Sequence, residues 1–212
     1  MRMSEQERYV LLDQYEQQAR ATGYRVIAGV DEAGRGPLAG PVAAAAVILD
    51  PVRPILGLND SKKLSEAKRE RLFDQIQEQA LAYAVILVDA GEIDRINILQ
   101  ATKQAMRQAI ASLAIQPDLL LIDAVALDQV MGDVWPIVKG DAKSNSIAAA
   151  SILAKVTRDR LMQAYDSQYP DYGFARHKGY GTALHYAAIH QHGLTPIHRT
   201  SFLTNLSEHV AP

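Results

Sequence analysis

Two adjacent carboxylates, Asp31 and Glu32, end the apolar run Val26-Ile27-Ala28-Gly29-Val30, and the glycine-rich turn Gly34-Arg35-Gly36-Pro37 follows at once. A second apolar run, Val42 to Leu49, comes just beyond Gly40-Pro41. An acid pair at the end of a buried strand is costly to desolvate, and a bound cation is the usual compensation. The glycines let backbone come close to a ligand. Taken alone, the pair reads as exposed charge at a strand tip before a tight turn. Two further segments reverse that reading. Leu119-Leu120-Leu121-Ile122-Asp123 and Trp135-Pro136-Ile137-Val138-Lys139-Gly140-Asp141 are also predicted strands ending in a carboxylate, so several strand ends are expected to converge on one point.

Asp31, Glu32, Asp123 and Asp141 offer only hard oxygen ligands, which favours Mg²⁺ or Mn²⁺ over zinc. Held together without metal, such charges repel and the cluster partly protonates. Two divalent ions about 3.5–4 Å apart can activate water on one side of a phosphodiester and stabilise the leaving oxygen on the other. No other side chain stands out as a base, so the implied class is metal-dependent phosphodiester hydrolysis. A nucleotide-binding loop fits poorly. There is no Gly-x-Gly-x-x-Gly and no Gly-x-x-x-x-Gly-Lys-Ser/Thr, and the acids precede the glycines. A nucleic-acid-binding module without activity would not need four acids that repel phosphate.

These residues need elements to position them. Residues 4–20 have the pattern of one polar amphipathic helix, closed by Gly23. Residues 25–31 and 42–49 read as buried strands, and the alanines 43–46 predict very close packing against the second. Ser65 is the expected N-cap of a helix to about residue 82. A strand over 84–88 and a helix from Asn97 to about Leu113 follow, then a loop over 124–134. A small-residue helix runs from Ser144 and continues through Lys155, Arg158 and Arg160; a solvated face is the plain alternative for these charges and is kept for Arg160. Residues 169–182 form a loop dense in aromatic, basic and glycine residues, which suits bases or sugars stacked beside phosphates. Thr182 caps a short helix to His192, and Gly193 ends it. His185, His190, His192 and His198 lack zinc spacing and read as structural or surface residues.

With 212 residues, 48% of them hydrophobic, the chain can bury a sizeable core. A net charge of −2 leaves no global basic field, so any nucleic-acid contact must come from a local patch. The lack of cysteine excludes disulfides and zinc thiolates and fits a reducing compartment. No apolar run approaches the ~20 residues of a membrane span, and the polar N-terminus does not resemble a signal peptide. A cytoplasmic protein is the expectation.

The segment Gly29-Val30-Asp31-Glu32-Ala33-Gly34-Arg35-Gly36-Pro37-Leu38-Ala39-Gly40-Pro41-Val42 resembles the signature of bacterial ribonuclease HII. The resemblance continues through Asp60-Ser61-Lys62-Lys63-Leu64, residues 97–102, Lys139-Gly140-Asp141, residues 146–159, His177-Lys178-Gly179-Tyr180-Gly181-Thr182 and residues 198–202. It covers roughly residues 25–203, and several motifs in one order are more specific than any one of them. It implies a single α/β domain over 1–212 with an RNase H-like mixed five-stranded sheet flanked by helices. Residues 1–24 would add an N-terminal helix and residues 182–212 a C-terminal helical part. The implied activity is endonucleolytic cleavage of RNA in RNA–DNA hybrids and incision 5′ of a single ribonucleotide in duplex DNA, by a monomer using Mn²⁺ or Mg²⁺. Asp31, Glu32, Asp123 and Asp141 match the catalytic acids, with Asp31 shared between two ions. Gly34, Arg35 and Gly36 match the family's junction-sensing motif, and Tyr180 the tyrosine on the following deoxyribose. Lys62, Lys139 and Lys143 are candidate phosphate contacts. The related ribonuclease HIII carries an extra N-terminal domain and lacks the arginine; Arg35 and the short segment before Asp31 favour HII.

Overall fold

The computed structural model describes residues 3–203. Five strands form one sheet: β1 (Ile27–Ala33), β2 (Val42–Ile48), β3 (Ala82–Val88), β4 (Leu119–Asp123) and β5 (Asp133–Ile137). Their order is β3-β2-β1-β4-β5. β1 pairs antiparallel with β2 and parallel with β4, while β2–β3 is antiparallel and β4–β5 parallel. This is the expected mixed five-stranded sheet.

The helices are α1 (Glu5–Leu12), α2 (Gln14–Ala21), α3 (Glu66–Gln79), α4 (Ala90–Ile96), α5 (Ile98–Ala111), α6 (Asn145–Gln168), α7 (Phe174–His177) and α8 (Ala183–His192). Side chains alternate across the sheet. Ala28, Val30, Ala44, Ala46, Leu120 and Ile122 pack with Ala101, Ala105 and Ala109 of α5. On the other face, Ala43, Ala45 and Val47 pack with α3 and with Ala148, Ala149 and Ile152 of α6. The alanine run of β2 is therefore sandwiched between two helices with small faces, as its composition predicts.

The close approach is greatest at Gly29, where an added Cβ would lie 2.0 Å from the carbonyl carbon of Ser146. The first turn of α6 thus rests directly on the backbone of β1, in front of the acid pair.

The caps expected at Ser65 and Thr182 are made, and Asn97 and Ser144 add two more. Ser65 Oγ accepts from Lys68 N–H, Asn97 caps α5, Ser144 caps α6 and Thr182 caps α8, with Gly193 at the end of α8. Four boundaries differ. The helix expected over 4–20 is broken at Asp13, whose side chain accepts from Gln17 and Arg20. The helix from Ser65 stops at Gln79, and β3 begins at Ala82. The strand expected to run to Asp141 stops at Ile137, because Lys139 is in the left-handed conformation (φ +58°). The expected loop 169–182 contains a 3₁₀ turn (Pro170–Tyr172) and α7. Of the C-terminal helical part, α8 and a 3₁₀ turn (Thr200–Phe202) are seen; residues 204–212 lie outside the described residues. Among the described residues no helix is long and apolar enough to cross a membrane.

Candidate active site

Register brings the first two acids together. Val30 and Ile122 are the last paired positions of β1 and β4, and Asp31 and Asp123 follow them side by side. Both point to the α6 face, in step with Gly29 and Leu121. Asp141 arrives differently, from the 3₁₀ turn Gly140–Ala142 that precedes α6. The Gly140 N–H donates to Asp123 Oδ1 at 2.7 Å, tying this turn to the end of β4. Carboxylate oxygens of Asp31, Asp123 and Asp141 lie within 4.8 Å of one another.

Glu32, one residue along β1, takes the opposite direction. Its Oε1 pairs with Arg35 Nη1 at 3.3 Å, while its buried Oε2 has no protein partner. The cleft of about 410 Å³ is lined by all four acids and by Gly34, Arg35, Gly36, Lys62 and Tyr180. Lys139 and Lys143 flank the turn of Asp141 but are not among the lining residues.

The electrostatics are those of a cation site. Asp31 is 4% exposed. Burial, then the charges of Glu32 and Asp123, push its carboxyl well above the usual carboxylate range. Burial raises Glu32 too, and the Arg35 guanidinium opposes that rise. Asp141 is raised by burial and by the carboxylates of Asp60 and Asp123, with Lys62 opposing. Oxygen ligands, mutual repulsion and an orphaned buried carboxylate oxygen all fit a hard divalent ion.

Sequence pattern assigns no site role to Arg158 or Arg199. Both are buried, at 1% and 0% exposure, so the alternative of a solvated face does not apply to Arg158. Arg158 donates to the carbonyls of Pro41, Ala39 and Lys178 at 2.9–3.0 Å. Arg199 donates to the carbonyls of Gly40, Arg35 and Gly34 at 2.6–2.9 Å. Neither guanidinium has an ion-pair partner among the described residues. Backbone dipoles compensate their charge instead, and burial together with the neighbouring Arg158 pushes Arg199 down to about 9. The two forks therefore build the Gly34–Pro41 turn from the inside. Gly34 itself (φ +90°) has no room for a Cβ, which would meet Arg158 Nε at 2.1 Å.

An ammonium cannot span three diverging carbonyls. Arg199→Lys is thus expected to cost about 2 kcal/mol in a denaturant titration and to blunt whatever the Gly34–Gly36 turn recognises. Unchanged stability and unchanged substrate preference together would remove Arg199 from this role.

Ser61, Ser151 and Lys155 also line the cleft, with Ser61 Oγ and Ser151 Oγ 2.9 Å apart and Lys155 bonded to Asp159. Lys155 is therefore not simply a solvated charge. The spacing 151, 155, 158 marks one face of a helix and was a legible signal. Arg160 does lie outside, paired with Glu70. Nothing in the pattern around Asp60 announced that its carboxylate would neighbour Asp141.

The ribonuclease HII family profile matches residues 28–205. A ribonuclease HII of Ruminiclostridium cellulolyticum is 57% identical over 204 residues, covering 96% of this chain and 80% of that protein. One of Vibrio cholerae is 59% identical over 180 residues, covering 85% of this chain and 87% of that one. The crystal structure of the ribonuclease H2 from Pyrococcus horikoshii superposes with a TM-score of 0.74 at 30% identity, over 87% of this chain and 98% of that one. The likeness in sequence and in fold thus runs along almost the whole chain. This chain belongs to the ribonuclease HII family and is a metal-dependent endoribonuclease.

Proposed function

We propose that the enzyme cleaves the RNA strand of RNA–DNA hybrids and incises on the 5′ side of a single ribonucleotide embedded in duplex DNA. It leaves 3′-hydroxyl and 5′-phosphate ends and acts as a monomer with a single catalytic domain. The observation that carries this reading is one cleft shared by the three clustered aspartates, the Gly34-Arg35-Gly36 turn and Tyr180. Asp31, Asp123 and Asp141 would hold Mg²⁺ or Mn²⁺, with Glu32 Oε2 the further ligand atom. Two ions bound there would activate the attacking water and stabilise the leaving oxygen.

The chain's own residues supply recognition. The 2′-hydroxyl is what distinguishes a ribonucleotide, and it is both donor and acceptor. Arg199 holds the Gly34 and Arg35 carbonyls from the inside, which leaves the amide edge of the turn for that hydroxyl. Tyr180 is about half exposed, and a Cβ placed on Gly36 would lie 3.6 Å from its ring. Its ring packs on the deoxyribose after the ribonucleotide, where a second 2′-hydroxyl would clash. Lys62, Lys139 and Lys143 contact phosphates on either side.

The test uses end-labelled duplex DNA with one embedded ribonucleotide, an all-DNA duplex and a uniform RNA–DNA hybrid, each in Mg²⁺, Mn²⁺ or EDTA. A metal-dependent cut immediately 5′ of the ribonucleotide, with the DNA control intact, is expected. Tyr180→Ala should reduce the preference for the RNA-to-DNA step about tenfold, a loss of ~1.4 kcal/mol of discrimination, and leave hybrid cleavage nearly unchanged. Cleavage of long hybrids alone would remove the recognition roles of Gly34, Arg35, Gly36 and Tyr180.

A further inference from the structure

Three of the six histidines are buried in one cluster behind the Tyr180 loop, away from the acids: His177 (8% exposed), His185 (0%) and His198 (3%). All six of their ring nitrogens have polar partners, which packing alone does not require. The partners also fix which nitrogen carries each proton. The Thr195 N–H can only donate, and it points to His198 Nδ1 at 2.9 Å, where the Thr195 hydroxyl at 2.8 Å is free to donate as well. His198 therefore carries its proton on Nε2, which lies 3.1 Å from His185 Nε2. His185 Nε2 must then accept, so its proton sits on Nδ1, 3.0 Å from the carbonyl of Tyr180. Separately, the Gly179 N–H donates to His177 Nδ1 at 3.2 Å, leaving His177 Nε2–H for the Tyr172 carbonyl at 2.7 Å.

We propose that His198 and His185 are positioning residues, a hydrogen-bond relay of fixed direction that runs from the Thr195 amide to the Tyr180 carbonyl and holds Tyr180 for junction recognition. The inference rests on the reading of Tyr180 given above. The relay reaches the second recognition element as well. Ala39 bridges to His198, Gly40 N–H donates to Ile197 O and Arg199 N–H to Leu38 O, both at 2.8 Å. Leu38 N–H in turn donates to Gly179 O at 2.8 Å. One strip of chain, 197–199, thus supports the glycine turn through Arg199 and the tyrosine loop through His198.

The relay works only with neutral rings. A second proton on His185 would set two N–H groups against each other. Its surroundings keep it neutral: Phe174 stands edge-on to His185 and to His177, and His177 stacks on His185 at 4.5 Å. Asp166 of α6 and Arg176 of α7 are the charged groups near His177, with Tyr172 also against the cluster. Burial lowers all three histidines, His185 to about 4.

The test compares single-turnover cleavage of the single-ribonucleotide duplex and the uniform hybrid by wild type, His185→Asn, His185→Leu and Tyr180→Ala. The Asn side-chain N–H stands in for Nδ1–H. His185→Leu should lower the ratio of the two rates about tenfold, with hybrid cleavage within about twofold of wild type, and His185→Asn should recover most of the ratio. Equal losses on both substrates for Leu and Asn alike would reduce His185 to packing and overturn the relay. Tyr180→Ala separates the two failures. A ratio unchanged in that variant sinks the reading of Tyr180, whereas a ratio lost there but kept in His185→Leu sinks the relay alone. A measurement on the unaltered protein needs no variant to fold: ¹⁵N-histidine NMR should find His185 protonated on Nδ1 and His198 on Nε2, and His185 protonated on Nε2 would overturn the proposal.

Discussion

Asp31→Asn is expected to lower kcat by at least about 10³-fold, some 4 kcal/mol of transition-state stabilisation, while binding of duplex substrate is largely kept. The variant keeps the volume of a nearly inaccessible side chain and its acceptor for the Glu32 N–H, which lies 2.7 Å from Oδ1. What it loses is the charge at the centre of the acid cluster. The same change should stabilise the metal-free protein. A carboxyl raised in the folded state adds stability that is fully present below its unfolded pKa and is lost as pH rises through the folded value. Asp31 is raised by burial and by Glu32 and Asp123, so in EDTA the wild type should lose melting temperature from about pH 4 upward. The Asn variant should lack most of that slope and melt higher at pH 7, by on the order of 5 °C. Added Mn²⁺ should raise the wild-type midpoint and move the variant far less. Turnover near the wild-type level would take Asp31 out of the metal site, whatever the melting curves showed.

Gly29→Ala is expected to be among the most damaging single substitutions outside the acids. A methyl there would meet the Ser146 carbonyl carbon and oxygen at 2.0 and 2.2 Å and Ile147 N at 2.3 Å. All three are backbone atoms in the first turn of α6, so no side chain can swing aside. Either β1 leaves its register with β2 and β4 or α6 lifts off the sheet. Overpacking of this kind costs about 3 kcal/mol or more. Because Asp31 is two residues along β1 and Asp141 lies just before α6, activity should fall further than the folded fraction alone explains. Chemical denaturation and cleavage measured on the same preparation separate the two effects. A midpoint unchanged within error would mean that the contact between β1 and α6 is looser than these distances state.

Much of the architecture was legible because local physics and tertiary packing agree. Apolar runs bounded by turns gave β1, β2 and β4 within two residues, and Ser65 and Thr182 marked helix starts by the capping chemistry that they perform. The alanines of β2 announced a close neighbour, since only small side chains allow that approach; that helices cover both faces came from the structure. Boundaries failed where one residue overrides a pattern. Asp13 interrupts a periodic helix, its carboxylate held by the Gln17 and Arg20 side chains, and Lys139 adopts a left-handed conformation that no composition rule assigns to lysine.

The acids show the division most plainly. Their types and their place after apolar runs were enough to predict oxygen-ligand metal chemistry, because desolvated like charges demand a cation. That Asp31 and Asp123 meet depends on the parallel register of β1 and β4, and that Asp141 joins them depends on a 3₁₀ turn tied to Asp123 through the Gly140 amide. Arg158 could be read as a surface charge because a sequence does not say what a guanidinium will find in place of a carboxylate. Here Arg158 and Arg199 each find three backbone carbonyls of chain segments distant in sequence. Residue chemistry and the order of the elements are written in side-chain type and local periodicity, and the family in the resemblance of several motifs in one order. Only the folded chain shows which acids come together, which cations are buried and which histidine rings face one another, because each depends on contacts between residues far apart in the chain.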